Sequence, residues 1–398
     1  MPGANKLSAM QFVVAFGVVS MLTDIVYEGA RSIIGPYLAN FGASAVLVGF
    51  VTGAGEAVAL VLRLATGRLT DRTRKYWSLS IAGYAITVVA VPLLSVAANL
   101  WQAAALVIAE RFGKAVRTPA RDTMLAQAGT GHGRGLVFAI HETLDQSGAL
   151  IGPLVVAGMI TVWGIRSAFL VLAIPGALAL IVVSALRRRV PLPQAYESQP
   201  VAGGSAHARA DIGGSLPRLF WLYSAFTALS MMGFATFGVI SYHLEVAHLM
   251  APRLIPVTYA AAMGAGALSA LASGRLYDRI GFRGLAAVGP LSVIIPMLAF
   301  SRSLSLIWVG AIVWGTVSGI HGSTLRAAVA DLTPAPRRAT AYGTFTAVYG
   351  LAWLAGATLI GALYERSVDE VVAFTAVTQV LATVALVPLM RIRRAHVR

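Results

Sequence analysis

Asp24 and Glu28 stand four residues apart within one apolar run, so on a helix they share a face. Glu110, Lys114 and Arg117 fall on one stripe of a second run, with Arg111 beside them. His141 and Asp145 repeat the four-residue spacing in a third, with Glu142 adjacent. An ionised group in hydrocarbon costs roughly 2.5–3.5 kcal/mol on insertion scales, so such residues pair with one another or carry something. Burial raises a carboxylate's pKa and a nearby cation lowers it, so an acid that alternates between the two environments binds and releases a proton. Asp24, Glu28, Glu110, His141, Glu142 and Asp145 are therefore candidates for proton or cation coupling. Glu142 and Asp145 with Lys114 and Arg117 can equally be a structural ion-pair cluster. Glu56 and Arg63 add two more charges, and Arg63 lies close enough to the end of its run to snorkel. The second half is poorer in charge, with His321 deep in an apolar run and His243 and Glu245 near the end of another.

These side chains need a scaffold that spans lipid. The 398 residues are 57% hydrophobic and 12% charged, with a mean hydropathy of +0.76. Soluble domains carry about 25% charged residues. The apolar stretches are continuous and about 20 residues long, which predicts membrane helices and disfavours a β-barrel. The predicted fold is an all-α membrane protein with twelve spans, at 9–39, 45–66, 77–98, 100–120, 135–162, 166–187, 219–243, 255–274, 284–301, 305–327, 338–363 and 370–391. The first is long for one crossing and is expected to tilt or bend before Gly35-Pro36. It reads as a retained helix rather than a signal peptide, since Asp24 interrupts it and no small-residue cleavage site follows. The absence of cysteine excludes disulfides and thiolate metal sites.

Most of the 31 lysines and arginines fall on one side of this topology, including Arg68, Arg72, Arg74 and Lys75, then Arg187, Arg188 and Arg189. The positive-inside rule then puts both termini in the cytoplasm, with the cytoplasmic membrane as the location. The net charge of +15 is thereby a topology signal rather than a nucleic-acid footprint. The segment 188–217, rich in Pro, Gly, Ser and Ala, reads as a cytoplasmic linker between two six-helix halves, 1–187 and 218–398.

One phrase occurs in both halves. "GRLTDRTRK" follows the second span, and "GRLYDRIGF" follows the eighth. Gly67, Asp71 and Arg72 match Gly274, Asp278 and Arg279, with Arg74 adding charge to the first copy. A second echo pairs Arg134, Phe138 and Gly152 with Arg338, Tyr342 and Gly356. Two parallel six-helix repeats are an architecture of secondary transporters.

The first phrase resembles the loop 2–3 signature of the major facilitator superfamily, and the whole chain is similar to that superfamily's plan. "FGKAVRTPARDTMLA" and "HETLDQSGALIGP" also look like a prokaryotic permease branch with Gly-Lys-x-x-Arg-Thr-x-x-Arg-Asp in its fourth helix. The resemblance implies that the loop aspartates meet helix starts of the opposite half, near Arg134 and Arg338. Helix N-termini attract such carboxylates. This would close the cytoplasmic side and favour an outward-open state, with Gly67 and Gly274 permitting close approach. Arg72, Arg74 and Arg279 would hold the aspartates, and the alternative is helix caps with topology charges. The resemblance also implies a central cavity lined by the first helix, where Asp24 lies near mid-membrane. Arg31, Arg111, Lys114, Phe226, Phe234, Phe237, Trp314, His321, Tyr349 and Trp353 are the candidates to line it, though aromatics and a lone histidine also serve as packing. A polar first half and an aromatic second half suit an amphipathic organic solute. Gly148, Gly152 and Pro153 allow close packing and a bend in the fifth helix. They partly match the Gly-Pro run of the superfamily's antiporters.

Enzyme signatures are absent: there is no Walker sequence, no His-Glu-x-x-His and no nucleophile elbow. The expected function is secondary active transport of a small organic solute, as a proton-coupled exporter without cofactor, metal or nucleic acid, acting as a monomer in the bilayer. A flippase for lipid-like molecules and an importer or uniporter of a polar solute are the alternatives.

Overall fold

The computed structural model describes residues 7–131, 133–196, 216–333 and 337–391. Among these residues the regular structure is helical. It comprises α1 (Ala9–Arg31), α2 (Ile34–Ala39), α3 (Ala45–Thr73), α4 (Tyr76–Leu93), α5 (Leu100–Ala128), α6 (Arg134–Val171) and α7 (Ala173–Arg189). The second half supplies α8 (Arg218–Met232), α9 (Phe237–Val246), α10 (Leu254–Ile280), α11 (Val288–Ala299), α12 (Leu304–Leu332), α13 (Arg338–Tyr364) and α14 (Val368–Met390). Helices satisfy every backbone group internally, as a chain in hydrocarbon must. Several starts follow from local side chains. Ser8 and Gln11 form a reciprocal capping box on α1. Asn99, Thr236 and Ser367 cap α5, α9 and α14.

Nine helical segments among the described residues are long and apolar enough to cross a membrane. One of them, Gly135–Arg189, runs 55 residues and is interrupted at Gly164, whose φ of 79° breaks the helix. α5 is not among the nine. Its 29 residues include Glu110, Arg111, Lys114, Arg117, Arg121 and Asp122, which lower its hydropathy.

The expected bend in the first span is a full break between Arg31 and Ile34, where the Ser32 hydroxyl donates to Gly29 O at 2.6 Å. The span expected over 219–243 is likewise broken, at 233–236, between α8 and α9. Gly233 ends α8, and the Thr236 cap starts α9 anew. Freed carbonyls at this break find side-chain donors. Trp314 Nε1 donates to Ala235 O at 2.7 Å, and Gln379 Nε2 donates to Ser230 O at 2.8 Å.

The residues divide into two compact units, Met1–Ile33 with Val58–Ala206, and Ile34–Ala57 with His207–Arg398. Ile34–Ala57 thus packs with the helices of the second half. A Cβ on Gly35 would strike Gly238 O, Thr52 Oγ1 lies 3.1 Å from Thr236 Oγ1, and Glu365 Oε1 accepts from Val46 N at 3.1 Å. In the first unit α6 lies against α1 with almost no spacing. A Cβ on Gly148 would strike Met21 O, and one on Gly152 would come within 2.5 Å of Ile25 O. Gly356, the echo of Gly152, has the same role in the second unit, since a Cβ there would strike Met232 O on α8. The repeat seen in the sequence is therefore also a repeat in packing.

Candidate functional site

The charged stripes of α1, α5 and α6 converge inside the first unit. Arg117 on α5 is 2% exposed. Its Nη2 lies 4.0 Å from Asp24 Oδ1, its Nη1 donates to Thr87 Oγ1 at 2.8 Å, and its guanidinium sits 4.9 Å from the centre of the Tyr84 ring. Glycine makes this approach possible. A Cβ on Gly83 would come 2.6 Å from Arg117 N and Cβ, and one on Gly113 would come 2.7 Å from Gly83 O. α4 and α5 therefore run nearly backbone to backbone, which brings Thr87 within reach of Arg117.

Tyr27, three residues beyond Asp24, gathers the other cations. Arg111 donates to its hydroxyl and lies 4.3 Å from its ring centre, and Lys114 Nζ lies 3.8 Å from the same centre. Arg31 donates to the Tyr27 hydroxyl at 3.4 Å. Cations over an aromatic face gain most where water is excluded. Glu28 and Glu110 supply counter-charge, at 3.6 Å from Arg31 and 3.3 Å from Arg111.

Towards the start of α1, Ser20 Oγ lies 2.7 Å from His141 Nε2 and 3.4 Å from Tyr84 OH. Asp145, one turn beyond His141, has a buried Oδ1 without a hydrogen-bond partner. Glu142 is turned away, exposed and bonded by Gln146 Nε2 at 2.9 Å. The structure thus brings together Asp24, Glu28, Arg31, Glu110, Arg111 and Lys114. It adds Ser20, Tyr27, Tyr84 and Thr87, which sequence reasoning had not nominated, and Arg117, which it had named only as a member of an ion-pair cluster. Their signal was present in part: Ser20, Asp24 and Glu28 lie four apart, and Tyr27 and Arg31 repeat that spacing alongside.

The second-unit nominees divide. Phe234 and Phe237 pack on Trp314 with ring centres 5.7 and 5.4 Å away, and Phe226 packs on Tyr223. All four nominees, Phe226, Phe234, Phe237 and Trp314, are interior residues of the unit. His321 is also interior, with Nε2 3.2 Å from Ser230 Oγ. Tyr349 is half-buried on α13, edge-on to Trp353 at 5.8 Å.

Asp71 and Asp278 occupy matching places in the two units, each exposed in the last turn of its helix, α3 and α10. Arg72, Arg74 and Arg279 are exposed around them. A Cβ on Gly67 or on Gly274 would meet nothing within 4 Å. Arg134 and Arg338 are the first residues of α6 and α13.

The comparisons with known proteins agree with this architecture. An uncharacterised protein of Mycobacterium tuberculosis is 51% identical over 388 residues, covering 96% of this chain and 94% of its own. An uncharacterised MFS-type transporter of Methanocaldococcus jannaschii is 25% identical, with 96% of each chain covered. Among solved structures, a bacterial homologue of the human lysosomal transporter Spinster, inward-facing and occupied, superposes with a TM-score of 0.72 at 16% identity, covering 97% of this chain and 96% of its own. The nucleoside transporter NupG gives 0.73 at 13% identity, covering 96% of this chain and all of its own. These likenesses speak for the fold. The family model of the Major Facilitator Superfamily matches residues 14–393, nearly the entire length. A helical membrane protein with a repeated plan, matched by that model over residues 14–393, belongs to the Major Facilitator Superfamily of transporters.

Proposed function

We propose that this chain is a secondary active transporter that moves a small organic solute by alternating access, driven by the proton gradient and working as an exporter. The observation that carries the reading is the buried Asp24–Arg117 pair with Glu28, His141 and Asp145 around it, on helices of 23, 29 and 38 residues. Intramembrane ionisable groups mark ion and substrate pathways. Asp24 and Glu28 are proposed to carry the proton, and Arg31, Arg111 and Lys114, together with Tyr349 and Trp353, to meet the solute. Gly148, Gly152 and Pro153, a partial match to the antiporter run, favour export.

Twelve spans support the same proposal. Two of the nine apolar segments, of 55 and 46 residues, are long enough to cross twice, and α5 supplies one more. With the positive-inside bias, both termini fall in the cytoplasm and the protein in the cytoplasmic membrane. The fourth-helix motif supports the prokaryotic permease branch. The solved neighbours include a POT family transporter in complex with 5-aminolevulinic acid, a small organic solute.

The test is a thermal-shift screen of the purified protein against diverse solutes, followed by flux of a stabilising solute in proteoliposomes with and without a pH gradient. Faster flux under the gradient supports proton coupling. Indifference to the gradient indicates a uniporter or another ion. Flipping of a labelled lipid without solute counterflow replaces the reading with a lipid flippase.

The repeated Asp71 and Asp278 are proposed as conformational latches. A carboxylate in the last turn of a helix faces the negative pole of the macrodipole, at a cost of about 0.3–1 kcal/mol. Helix stability therefore does not explain placing one at the same point in both repeats. Asp71→Asn should shift the balance of conformations towards inward-open and slow transport without unfolding the protein. Spin-label distances between the ends of α3 and α13 check this, and unchanged distances in the variant would remove the latch.

A further inference from the structure

Ser20 has a hydrogen-bonding position that packing alone does not require. It is 1% exposed on α1, one turn before Asp24. Its hydroxyl lies between His141 Nε2 at 2.7 Å and Tyr84 OH at 3.4 Å. α6 presses its facing stripe against the same face of α1. The ideal Cβ position of Gly148 falls 3.1 Å from Asp24 Cβ, and His141 and Asp145 precede Gly148 along that helix. Three protonatable side chains, Asp24, His141 and Asp145, are thus gathered at one helix–helix seam with a hydroxyl among them.

We propose that Ser20 and His141 form the route by which a proton reaches and leaves Asp24. This rests on the reading of Asp24 as the proton carrier and adds the path to it. A serine hydroxyl holds one proton and has two lone pairs, so it transmits protons without storing charge. In the outgoing step the Asp24 carboxyl gives its proton to Ser20 Oγ while the Ser20 O–H proton passes to His141 Nε2. Asp24 is left as carboxylate and His141 as imidazolium. Ser20 is left neutral, and its hydroxyl rotates to reset. Uptake reverses each transfer. The charged groups facing His141 are Asp145 on α6 and Arg117, Arg121 and Asp122 on α5, and those facing Asp24 are Asp145 on α6, Lys114 and Arg117 on α5 and Glu28 on α1. Asp145 and Asp122 give the imidazolium counter-charge against Arg121 and Arg117, as Arg117 does for ionised Asp24. The route runs towards the first turns of α1 and α6, because Ser20 and His141 lie nearer those starts than Asp24 and Gly148 do.

A merely structural Ser20–His141 bond would tie α1 to α6 and alter melting temperature alone. The relay predicts a change in protonation rate. The experiment is a pH jump on the purified full-length protein, followed by time-resolved infrared difference spectroscopy of the protonated carboxyl band that Asp24→Asn removes. Ser20→Ala and His141→Gln should each slow the appearance of that band about tenfold or more, and Ser20→Thr, which keeps the hydroxyl, should retain the wild-type rate. Wild-type rates in both Ser20→Ala and His141→Gln overturn the relay while leaving Asp24 as carrier. If no Asp24 band titrates between about pH 4 and 10, the carrier reading fails and the relay falls with it. Should Ser20→Ala fail to fold, His141→Gln gives the same readout.

Discussion

Asp24→Ala should destabilise the protein by about 3–5 kcal/mol, and adding Arg117→Leu should restore most of that loss. Arg117 is 2% exposed and its carboxylate partner is Asp24, at 4.0 Å. A guanidinium does not give up its proton, so once Asp24 is gone the positive charge remains buried with the Thr87 hydroxyl and the Tyr84 ring as its polar company. Arg117→Leu alone should cost less, since the carboxylate it leaves can take up a proton and become neutral. Replacing both charges removes the desolvation problem together with the attraction, which is why a buried pair can be exchanged for apolar groups at little cost. The four proteins of this cycle are compared by unfolding in detergent. Losses that add, with the double variant as unstable as the sum of the singles, would mean that Asp24 and Arg117 do not interact.

That pair also shows where sequence reading stops. Asp24 stood out because a carboxylate inside an apolar run is costly wherever it points. Spacing showed that Ser20, Asp24 and Glu28 share a face of α1, and that Glu110, Lys114 and Arg117 share a stripe of α5. It did not show how the two helices rotate against each other. The sequence reading offered Lys114 and Arg117 as partners for Glu142 and Asp145 on α6, and the structure places Arg117 Nη2 4.0 Å from Asp24 on α1. Helix rotation is set by close packing at Gly83 and Gly113, and at Gly148 and Gly152, whose meaning depends on what lies opposite. Tyr27 was missed for a related reason: an aromatic on an apolar helix is ordinary until three cations are found around it. The break between α8 and α9 was also hidden, because an isolated Gly233 is tolerated in a helix. What breaks the span there is Thr236 capping a new start, with Trp314 and Gln379 ready to bond the freed carbonyls. The repeat was legible, since glycine against backbone leaves the same mark at Gly152 and at Gly356.

Asp24→Asn should abolish gradient-driven accumulation of the solute while leaving binding and passive exchange intact. Asparagine keeps the size of aspartate and an oxygen that can accept from Arg117, so the cluster has a substitute partner and the fold is spared the full cost of Asp24→Ala. What it cannot do is change charge. A carrier must be ionised in one stage of the cycle and neutral in another, and a fixed neutral side chain removes the difference through which the proton gradient does work. Glu28→Gln should be milder. Glu28 already has Arg31 as a salt-bridge partner at 3.6 Å, and both are close to the end of α1. Asp24 instead meets a fully interior arginine and the α6 seam that holds Asp145 and His141. The measurement compares three rates in proteoliposomes for wild type and both variants: accumulation under an imposed pH gradient, counterflow of labelled solute without one, and proton movement on adding solute. Accumulation and proton movement should vanish together in Asp24→Asn, with counterflow near the wild-type rate. If both variants accumulate solute as the wild type does, neither carboxylate carries the proton. If Glu28→Gln alone loses accumulation, the carrier lies one turn further along the same face of α1.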